Sequence, residues 1–382
     1  MTNKIHSLLN RKLQIKAKKY ESEKRFVGFI ENIISLIFII IFYFYFAKPL
    51  TEILPNNSIL KFVTYILIFM IWFFPLEILF NFLSSYKIEH KYNFSNQNIK
   101  SWLWDYFKGF FVQLILTPIL LGLLFLLFHF TPEYWWLYGA ILMIFVSTIL
   151  ATIFPIVILP IFNKYTPIKD EKLTSRLSKI LKMENIKIKG FFKEDMSKQT
   201  KKENAFLAGM GRTKRVVLGD NILEKMNVDE LETIIAHEVG HYKHKHMLKN
   251  IFIGSIFQLL LFFIINIFLT KYFPDFLTSL DANLTTLPIF ILSFSFLNTI
   301  FISPIVNFLS RHFENQADNY SFSHSQNTRA FITAMAGLAN RNLSNAYPTS
   351  LIKIFYYSHP PVGERLDNAE SYLEKQKAES KK

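Results

Sequence analysis

The chain has 382 residues, of which 51% are hydrophobic, 41 are phenylalanine and none is cysteine. Without cysteine, disulfides and thiolate metal sites are excluded, so a metal site must use histidine and carboxylate ligands. The net charge of +14 would suit nucleic acid in a soluble chain. Here it accompanies apolar runs long enough to cross a bilayer, and we assign it to loops beside anionic lipid, with no nucleic-acid partner.

The first part of the chain is predicted to be a basic arm followed by four membrane spans. Residues 1–26 hold eight lysines or arginines and show no cleavage site of a signal peptide. We interpret them as a basic amphipathic helix on the membrane surface, with a solvated helix as the alternative. Long apolar runs predict membrane helices over residues 27–47, 59–83, 107–130 and 134–162, with a polar loop at 84–106.

Residues 163–250 are predicted to form a soluble domain of mixed α and β structure. Lys172–Met183 has the periodicity of an amphipathic helix. Lys187–Phe192 alternates like a strand, and Arg215–Leu218 is predicted to be a second strand. A turn and a further helix follow, and that helix leads into the next apolar run.

The last part of the chain returns to the membrane once and ends in polar sequence. Residues 251–309 contain two predicted spans, 251–269 and 286–309. Residues 310–370 are predicted to be mostly helical, and residues 371–382 to be a disordered basic tail. The predicted fold class is therefore mainly α, a polytopic membrane protein of six spans with a small α+β domain at one membrane face.

The distribution of basic residues predicts which face that is. With six spans, all the long polar segments share one side of the membrane, and the opposite side receives residues 48–58, 131–133 and 270–285. Those three loops contain only two basic residues, Lys48 and Lys271. By the positive-inside rule, both termini and the soluble domain face the cytoplasm.

The soluble domain ends in an H-E-x-x-H motif on a predicted helix. His237 and His241 are four residues apart, so they lie on one helix face and can bind one tetrahedral metal ion. Glu238 is out of register with them and can contact a water molecule at the ion instead. Asp229 with Glu232 three residues later predicts the capped start of this helix.

A third metal ligand is predicted beyond the sixth span. Glu314 and Asp318 share a helix face, and the hairpin formed by the last two spans returns them to the surface that carries the H-E-x-x-H helix. Glu314 can bind the metal while Asp318 orients a ligand histidine. His244 is a nearer rival, but seven residues rise about 10.5 Å along a helix, too far for it to share an ion with His237. His244 and His246 are therefore interpreted as surface or membrane-interface residues.

These motifs resemble those of a known family, the CAAX prenyl endopeptidases, which are integral-membrane zinc metalloproteases. The resemblance rests on the H-E-V-G-H helix, the Glu314 and Asp318 pair, and the H-P-P-V-G-E-R-L segment that contains His359 and Arg365. Further matching segments are Glu89-x-Lys91-x-x-Phe94, P-I-F-N-K-Y-T-P at 160–167, N-A-F at 204–206 and R-V-V-L at 215–218.

The resemblance implies one zinc ion per chain, bound by His237, His241 and Glu314, with Glu238 as the general base. It also implies spans that enclose an intramembrane chamber. The family's enzymes remove the last three residues of prenylated proteins, so the implied partners are a peptide or protein substrate, lipidated or membrane-associated, and the bilayer itself.

The resemblance further places three residues around the substrate. Asn204 lies beside a predicted strand edge, where its amide can hold an extended peptide. His359 can donate a hydrogen bond to the oxyanion that forms during hydrolysis. Arg365 can pair with a carboxylate, either the terminus of the substrate or a residue of the enzyme.

The chain departs from the family in one respect. The eukaryotic enzymes have seven spans, and the basic stretch at residues 11–25 resembles the one that follows their first span. We therefore expect a member without the first span, and the cysteine-free composition suggests a bacterial inner-membrane protein.

Taken together, these patterns predict a membrane-embedded zinc metalloendopeptidase that acts at the cytoplasmic membrane face. Two alternatives remain at this stage. One is a quality-control protease of broad specificity for misfolded membrane proteins. The other is a non-catalytic membrane protein that binds lipid or peptide, against which the presence of Glu238 argues.

Overall fold

A computed structural model describes residues 6–209, 213–325 and 327–381. Most of this part of the chain is helical, and its strands form one small sheet. The α-helices are α1 (Arg11–Ile41), α2 (Lys48–Ile53), α3 (Ser58–Asn81), α4 (Ile88–Lys91), α5 (Ile99–Phe130), α6 (Trp135–Ile153), α7 (Leu159–Phe162), α8 (Glu171–Met183), α9 (Asp220–Lys225), α10 (Val228–Lys243), α11 (His246–Tyr272), α12 (Leu280–Leu297), α13 (Ser303–His324), α14 (Thr328–Arg341), α15 (Ser350–Tyr356) and α16 (Val362–Glu379). The strands are β1 (Tyr165–Pro167), β2 (Phe191–Glu194), β3 (Ala205–Ala208) and β4 (Arg215–Gly219).

Six helical segments of the described chain are long and apolar enough to cross a membrane, which confirms the predicted number of spans. Short π-helical stretches join several of the α-helices end to end. Large apolar side chains remain exposed along the spans, and in a bilayer these would face lipid. The six segments are Arg11–Ile53, Ser58–Lys91, Ile99–Phe130, Trp135–Ile153, His246–Tyr272 and Leu280–His324.

The spans pack around a shared aromatic core and enclose a cavity. Trp135 and Phe262 are almost completely buried in that core. The cavity has a volume of about 300 Å³ and is lined mainly by apolar side chains, with Glu31, Glu77 and Gln113 among them. Carboxylates within a membrane region are costly beside lipid, and here they face the interior of the bundle instead.

The soluble domain is built on a four-stranded sheet of order β1-β2-β4-β3. The central pair, β2 and β4, is parallel, and both outer strands are antiparallel to their neighbours. The strand predicted at Lys187–Phe192 occurs later, at Phe191–Glu194, because its pairing with β4 begins at Phe191 opposite Val216. No strand of the described residues pairs with the free side of β3, so that edge is open to an extended peptide.

Apolar side chains of helices α8 and α10 pack with those of the sheet in the core of this domain. The amphipathic prediction for α8 is confirmed, because Leu177 and Ile180 are buried in that core. Helix α10 is buried around Ile235 and Val239. Each fully buried aliphatic side chain of this size contributes about 1.5–3 kcal/mol to folding, so α10 is held firmly in place.

The predicted start of α10 is wrong by two residues. The helix is capped by Asn227, whose side chain accepts a hydrogen bond from the Glu230 N–H at 3.0 Å, while the Glu230 carboxylate accepts one from the Asn227 N–H at 3.1 Å. This reciprocal pair is a capping box. Asp229 lies inside the first turn and pairs with Arg176 at 2.6 Å instead.

The N-terminal arm makes a contact with the rest of the protein that the sequence did not predict. It is the first half of α1, which continues without a break into the first span. Its inner face is buried at Ala17 and Tyr20 against Tyr92, Phe94 and Leu343, so the arm packs on the rest of the protein.

The C-terminal tail is more ordered than predicted. Helix α16 continues to Glu379, so most of the segment predicted to be disordered from residue 371 is helical. Leu366 and Ala369 of α16 are fully buried in the core of the soluble domain. These contacts anchor the helix, and the Lys-rich end continues it.

Candidate active site

Helices α10 and α13 cross closely enough to bring the predicted metal ligands together. Their contact centres on Gly240, where an added Cβ would lie 2.9 Å from Cα of Ala317 and 3.0 Å from Cβ of Tyr320. Only a residue without a side chain permits this approach. The hairpin formed by α11 and α12 returns the chain so that α13 reaches α10, as the sequence predicted.

His237, His241 and Glu314 form a cluster whose dimensions suit a metal ion. The two histidine Nε2 atoms are 3.1 Å apart, and each lies 3.3 Å from a carboxylate oxygen of Glu314. Tetrahedral ligands at about 2.0–2.1 Å from zinc would be separated by about 3.3 Å. Oε2 of Glu314 is buried and receives no hydrogen bond from the residues that the structure describes. A buried carboxylate oxygen without a hydrogen-bond donor is available to bind a cation.

The predicted partner of a ligand histidine, Asp318, is in place. Its Oδ1 lies 2.8 Å from Nδ1 of His237, which leaves Nε2 of that ring directed at the metal cluster. Burial alone would lower the pKa of His237, but the neighbouring carboxylates of Asp318 and Glu314 raise it to about 9. The surroundings of this ring therefore stabilise a positive charge.

Arg365 pairs with Asp318 through two hydrogen bonds, Nε to Oδ2 at 2.8 Å and Nη2 to Oδ1 at 2.6 Å. Both side chains are almost fully buried. The carboxylate partner of Arg365 in this structure is thus a residue of the protein, one of the two predicted alternatives. A bidentate pair of this kind fixes the plane of the Asp318 carboxylate and, through it, the His237 ring.

The interpretation of His246 as a surface or interface residue is wrong. Its side chain is buried and stacks on Phe313, with ring centroids 4.6 Å apart. Its Nδ1 lies 2.9 Å from Nδ1 of His241, and its Nε2 lies 2.9 Å from Oε1 of Gln316. The side-chain amide of Gln316 also contacts Nε2 of His312 at 3.0 Å, which orients that amide.

These contacts assign the tautomer of His241. Oε1 of Gln316 can only accept, so Nε2 of His246 carries the proton and donates to it. Nδ1 of His246 then accepts from Nδ1–H of His241, and Nε2 of His241 keeps its lone pair for a metal. The only sequence signal for this contact was that His246 follows His241 by five residues, just past the end of α10, where a change of chain direction brings it back.

We expect the His246→Ala variant to bind zinc about 10–100-fold more weakly than the unmodified protein, because His241 loses the partner that orients it. Zinc affinity is measured by competition with a chromophoric chelator on the full chain in detergent. The matched control is His244→Ala, which removes a nearby histidine outside the metal cluster. Equal zinc affinity of the two variants would contradict the assignment.

Glu238 lies beside the metal cluster and lines a cavity. The cavity has a volume of about 430 Å³, and its lining includes His241, Leu207 of strand β3 and, at the membrane end, Met247 and Leu248. The cavity therefore extends from β3 past the Glu238 carboxylate to the start of a membrane span, and its lining combines apolar side chains with Lys214, Lys243 and Lys245.

His359 and Asn204 are the remaining residues predicted to surround the substrate. Nε2 of His359 is 3.2 Å from Oε1 of Glu314, so the imidazole borders the metal cluster. Asn204 is exposed immediately before β3, and its carbonyl accepts a hydrogen bond from Gly219 of β4. The preceding Glu203 is buried and paired with Arg341 at 2.8 Å, which secures the start of the edge strand.

The fold and this site define a class of protein, a membrane metalloprotease. Residues 167–373 match the description of peptidase family M48, and residues 1–164 match the N-terminal region of CAAX prenyl proteases, described as five membrane helices. The chain belongs to peptidase family M48, and it is a metalloendopeptidase of that family.

Individual relatives agree with this assignment. The chain is 32% identical over 295 residues to the uncharacterized metalloprotease YhfN of Bacillus subtilis, covering 75% of this chain and 68% of that protein. It is 28% identical to the CAAX prenyl protease 1 homolog of Arabidopsis thaliana, covering 92% and 86%. The crystal structure of S. mikatae Ste24p has the same fold, with a TM-score of 0.84 at 21% identity, covering 96% of this chain and 90% of that one.

Proposed function

We propose that this protein is a zinc endopeptidase that binds one zinc ion per chain through His237, His241 and Glu314. The single observation that supports this most strongly is the trio of distances of 3.1–3.3 Å between their ligand atoms. A zinc ion held there supplies Lewis-acid chemistry at the scissile carbonyl.

In the proposed mechanism, Glu238 is the general base. Its carboxylate takes the proton of the attacking water and passes it to the leaving amine. It adjoins the metal cluster on the same helix and lines the cavity where a peptide would lie. His359 donates a hydrogen bond to the oxyanion of the tetrahedral intermediate, and its 3.2 Å distance from Glu314 supports this position.

Substrate binding is proposed to occur along strand β3. An extended peptide adds to its open edge, with the exposed amide of Asn204 holding the peptide backbone. Arg365 is proposed to contribute by fixing Asp318, because its Nε and Nη2 both donate to that carboxylate. This modifies the substrate-contacting role that the family resemblance implied for Arg365.

The proposed substrates are prenylated proteins that end in a CAAX sequence. Relatives from plants, fungi and animals carry the name CAAX prenyl protease 1. The cavity beside Glu238 supports this proposal, because its apolar lining reaches Met247 and Leu248 at the start of a membrane span. A lipidated peptide can therefore present its bond to Glu238 while its lipid remains in an apolar environment.

The proposed location is a cell membrane, with the soluble domain and both termini on the cytoplasmic side. The basic residues support this orientation, since the loops assigned to the opposite face contain only Lys48 and Lys271. A bacterial inner membrane is the proposed setting, in line with the relative from Bacillus subtilis.

The test is a comparison of substrates for the full chain purified in detergent. We expect cleavage of a farnesylated peptide ending in C-a-a-X three residues from its end, a preference over the same peptide without the lipid, and a zinc content near one per chain. Mass spectrometry identifies the bond that is cut, and elemental analysis gives the zinc content. Equal cleavage of the unlipidated peptide and of an unfolded protein would instead support a quality-control protease.

A further inference from the structure

His359 lies in a short connection without regular secondary structure. Helix α15 ends at Tyr356 and α16 begins at Val362. The His359 side chain is 61% exposed, and its polar contacts are Oε1 of Glu314 at 3.2 Å and Oγ of the adjacent Ser358 at 3.0 Å. Its position depends on how the connection itself is held, and the strongest contacts of the connection are made by Tyr357.

The inner attachment of Tyr357 comes from the helix that carries Glu314. Arg311 lies three residues before Glu314 on α13 and is buried. Its Nη1 donates to the carbonyl of Tyr357 at 2.6 Å and to that of Lys353 at 3.0 Å. These bonds, together with the one from Asn307 to the carbonyl of Phe355 at 3.0 Å, hold the backbone before the connection close to the metal cluster. The side chain of Tyr357 adds a second attachment on the other side.

The outer attachment comes from the N-terminal arm. The Tyr357 hydroxyl lies 2.7 Å and 2.8 Å from the two carboxylate oxygens of Glu21 on α1. Burial and the negative charge of Glu21 raise the pKa of Tyr357, so the phenol keeps its proton and donates it. The hydrogen bond that a phenol donates to a carboxylate is charge-assisted, and it is stronger than a hydrogen bond between neutral groups.

The arm is itself docked firmly enough to serve as a support. Glu21 also accepts a hydrogen bond from the Asn345 N–H at 3.1 Å. Gln14, two turns earlier on the same helix face, donates to the Ser344 carbonyl at 3.2 Å and accepts from the Ala346 N–H at 3.0 Å. One face of the arm therefore follows the backbone of residues 344–346, and the position of Glu21 is set by several bonds.

We propose that Glu21 is a positioning residue for the reaction, and that the arm holds His359 at the oxyanion through the bond between Glu21 and Tyr357. The inference rests on the proposed role of His359. Arg311 sets the place of the connection, and Glu21 sets its orientation. The segment that adjoins the first membrane span is thereby part of the active-site scaffold.

The test is a double-mutant cycle between Tyr357→Phe and His359→Ala in the full chain. Tyr357→Phe removes only the hydroxyl, and we expect kcat to fall by about tenfold with KM and zinc content unchanged, because the oxyanion exists only after the substrate has bound. In the His359→Ala background, we expect Tyr357→Phe to have no further effect on kcat.

Two variants of the other partner make the test independent of any one substitution. Glu21→Ala breaks the same bond, so we expect it to lower kcat like Tyr357→Phe and to add little in combination with it. Glu21→Gln keeps a carbonyl oxygen that can accept from the Tyr357 hydroxyl, so we expect this variant to retain most of the kcat that Glu21→Ala loses. Tyr356→Phe is the matched control, an exposed neighbour whose hydroxyl we expect to be dispensable.

The outcomes separate the two proposals. If Tyr357→Phe lowers kcat by the same factor with and without His359, the inference is overturned while the role of His359 stands. A His359→Ala variant with unchanged kcat overturns the role of His359 and the inference with it. A loss of kcat in Tyr357→Phe that is matched by a loss of zinc or of thermal stability also overturns the inference, because the bond would then support the fold as a whole.

Discussion

Glu238→Gln is expected to lower kcat for peptide cleavage by about 10²–10⁴-fold, the range typical of a missing general base. Glutamine has nearly the same shape as glutamate but cannot accept and release the proton of the attacking water. Zinc content should remain near one per chain, because Glu238 is outside the metal cluster. Turnover of a fluorogenic peptide and elemental analysis of the same sample measure both quantities.

The matched control for this variant is Glu224→Gln. Glu224 is an exposed glutamate on α9 of the same domain, so the substitution makes the same chemical change away from the site. We expect it to leave kcat within twofold of the unmodified protein, as surface substitutions rarely matter. Full activity of Glu238→Gln would refute the proposed mechanism, while loss of zinc from that variant would assign Glu238 a structural role at the metal.

Gly240→Ala is expected to impair both folding and metal binding. The added Cβ would lie 2.9 Å from Cα of Ala317, and neither backbone can yield without separating α10 from α13. Overpacking of this kind costs about 1–3 kcal/mol. Because His237 and His241 lie on one of these helices and Glu314 on the other, separation also pulls the ligands apart. Thermal unfolding and zinc affinity, measured with a chelator, should both decline, and peptide cleavage with them.

Gly254→Ala is the control for this prediction. Gly254 is also inside a helix, α11, and no described heavy atom lies within 4 Å of the Cβ that alanine would add there. We expect zinc affinity and activity to be unchanged and stability to be equal or slightly higher, since alanine favours helix more than glycine does. If the two glycine variants behave alike, the close contact between α10 and α13 is not what sets the metal site.

Much of the site could be predicted because its elements have local signatures. Helical spacing alone predicts that His237 and His241 lie on one face of a helix. The length of the apolar runs predicts the spans. The hairpin formed by the fifth and sixth spans then places Glu314 near the two histidines without any knowledge of side-chain contacts. The cluster of these three residues in the structure has the geometry that this reasoning predicted.

Other features depend on contacts that no local sequence pattern predicts. Asp229 and Asn227 are both good capping residues, and the structure caps the helix with Asn227, which forms a capping box with Glu230, while Asp229 pairs with Arg176 of a distant helix. His246 was assigned to the surface because nothing in the sequence places Phe313 against it. The arm was assigned to the membrane surface because its docking surface is assembled from segments more than 60 residues away in the chain.

The sequence by itself determined that this is a six-span membrane protein with two histidines and a glutamate ready for a metal. Hydropathy and helical periodicity are properties of short stretches, and the bilayer and the helix impose them directly. The sequence also predicted that Asp318 orients a ligand histidine, and the tertiary structure identified that histidine as His237. Only the tertiary structure decided the remaining contacts: Arg365 with Asp318, His246 with His241, and Glu21 with Tyr357 of the segment that carries His359. These contacts arise from the packing of segments far apart in the chain, whose relative placement is set by the whole fold.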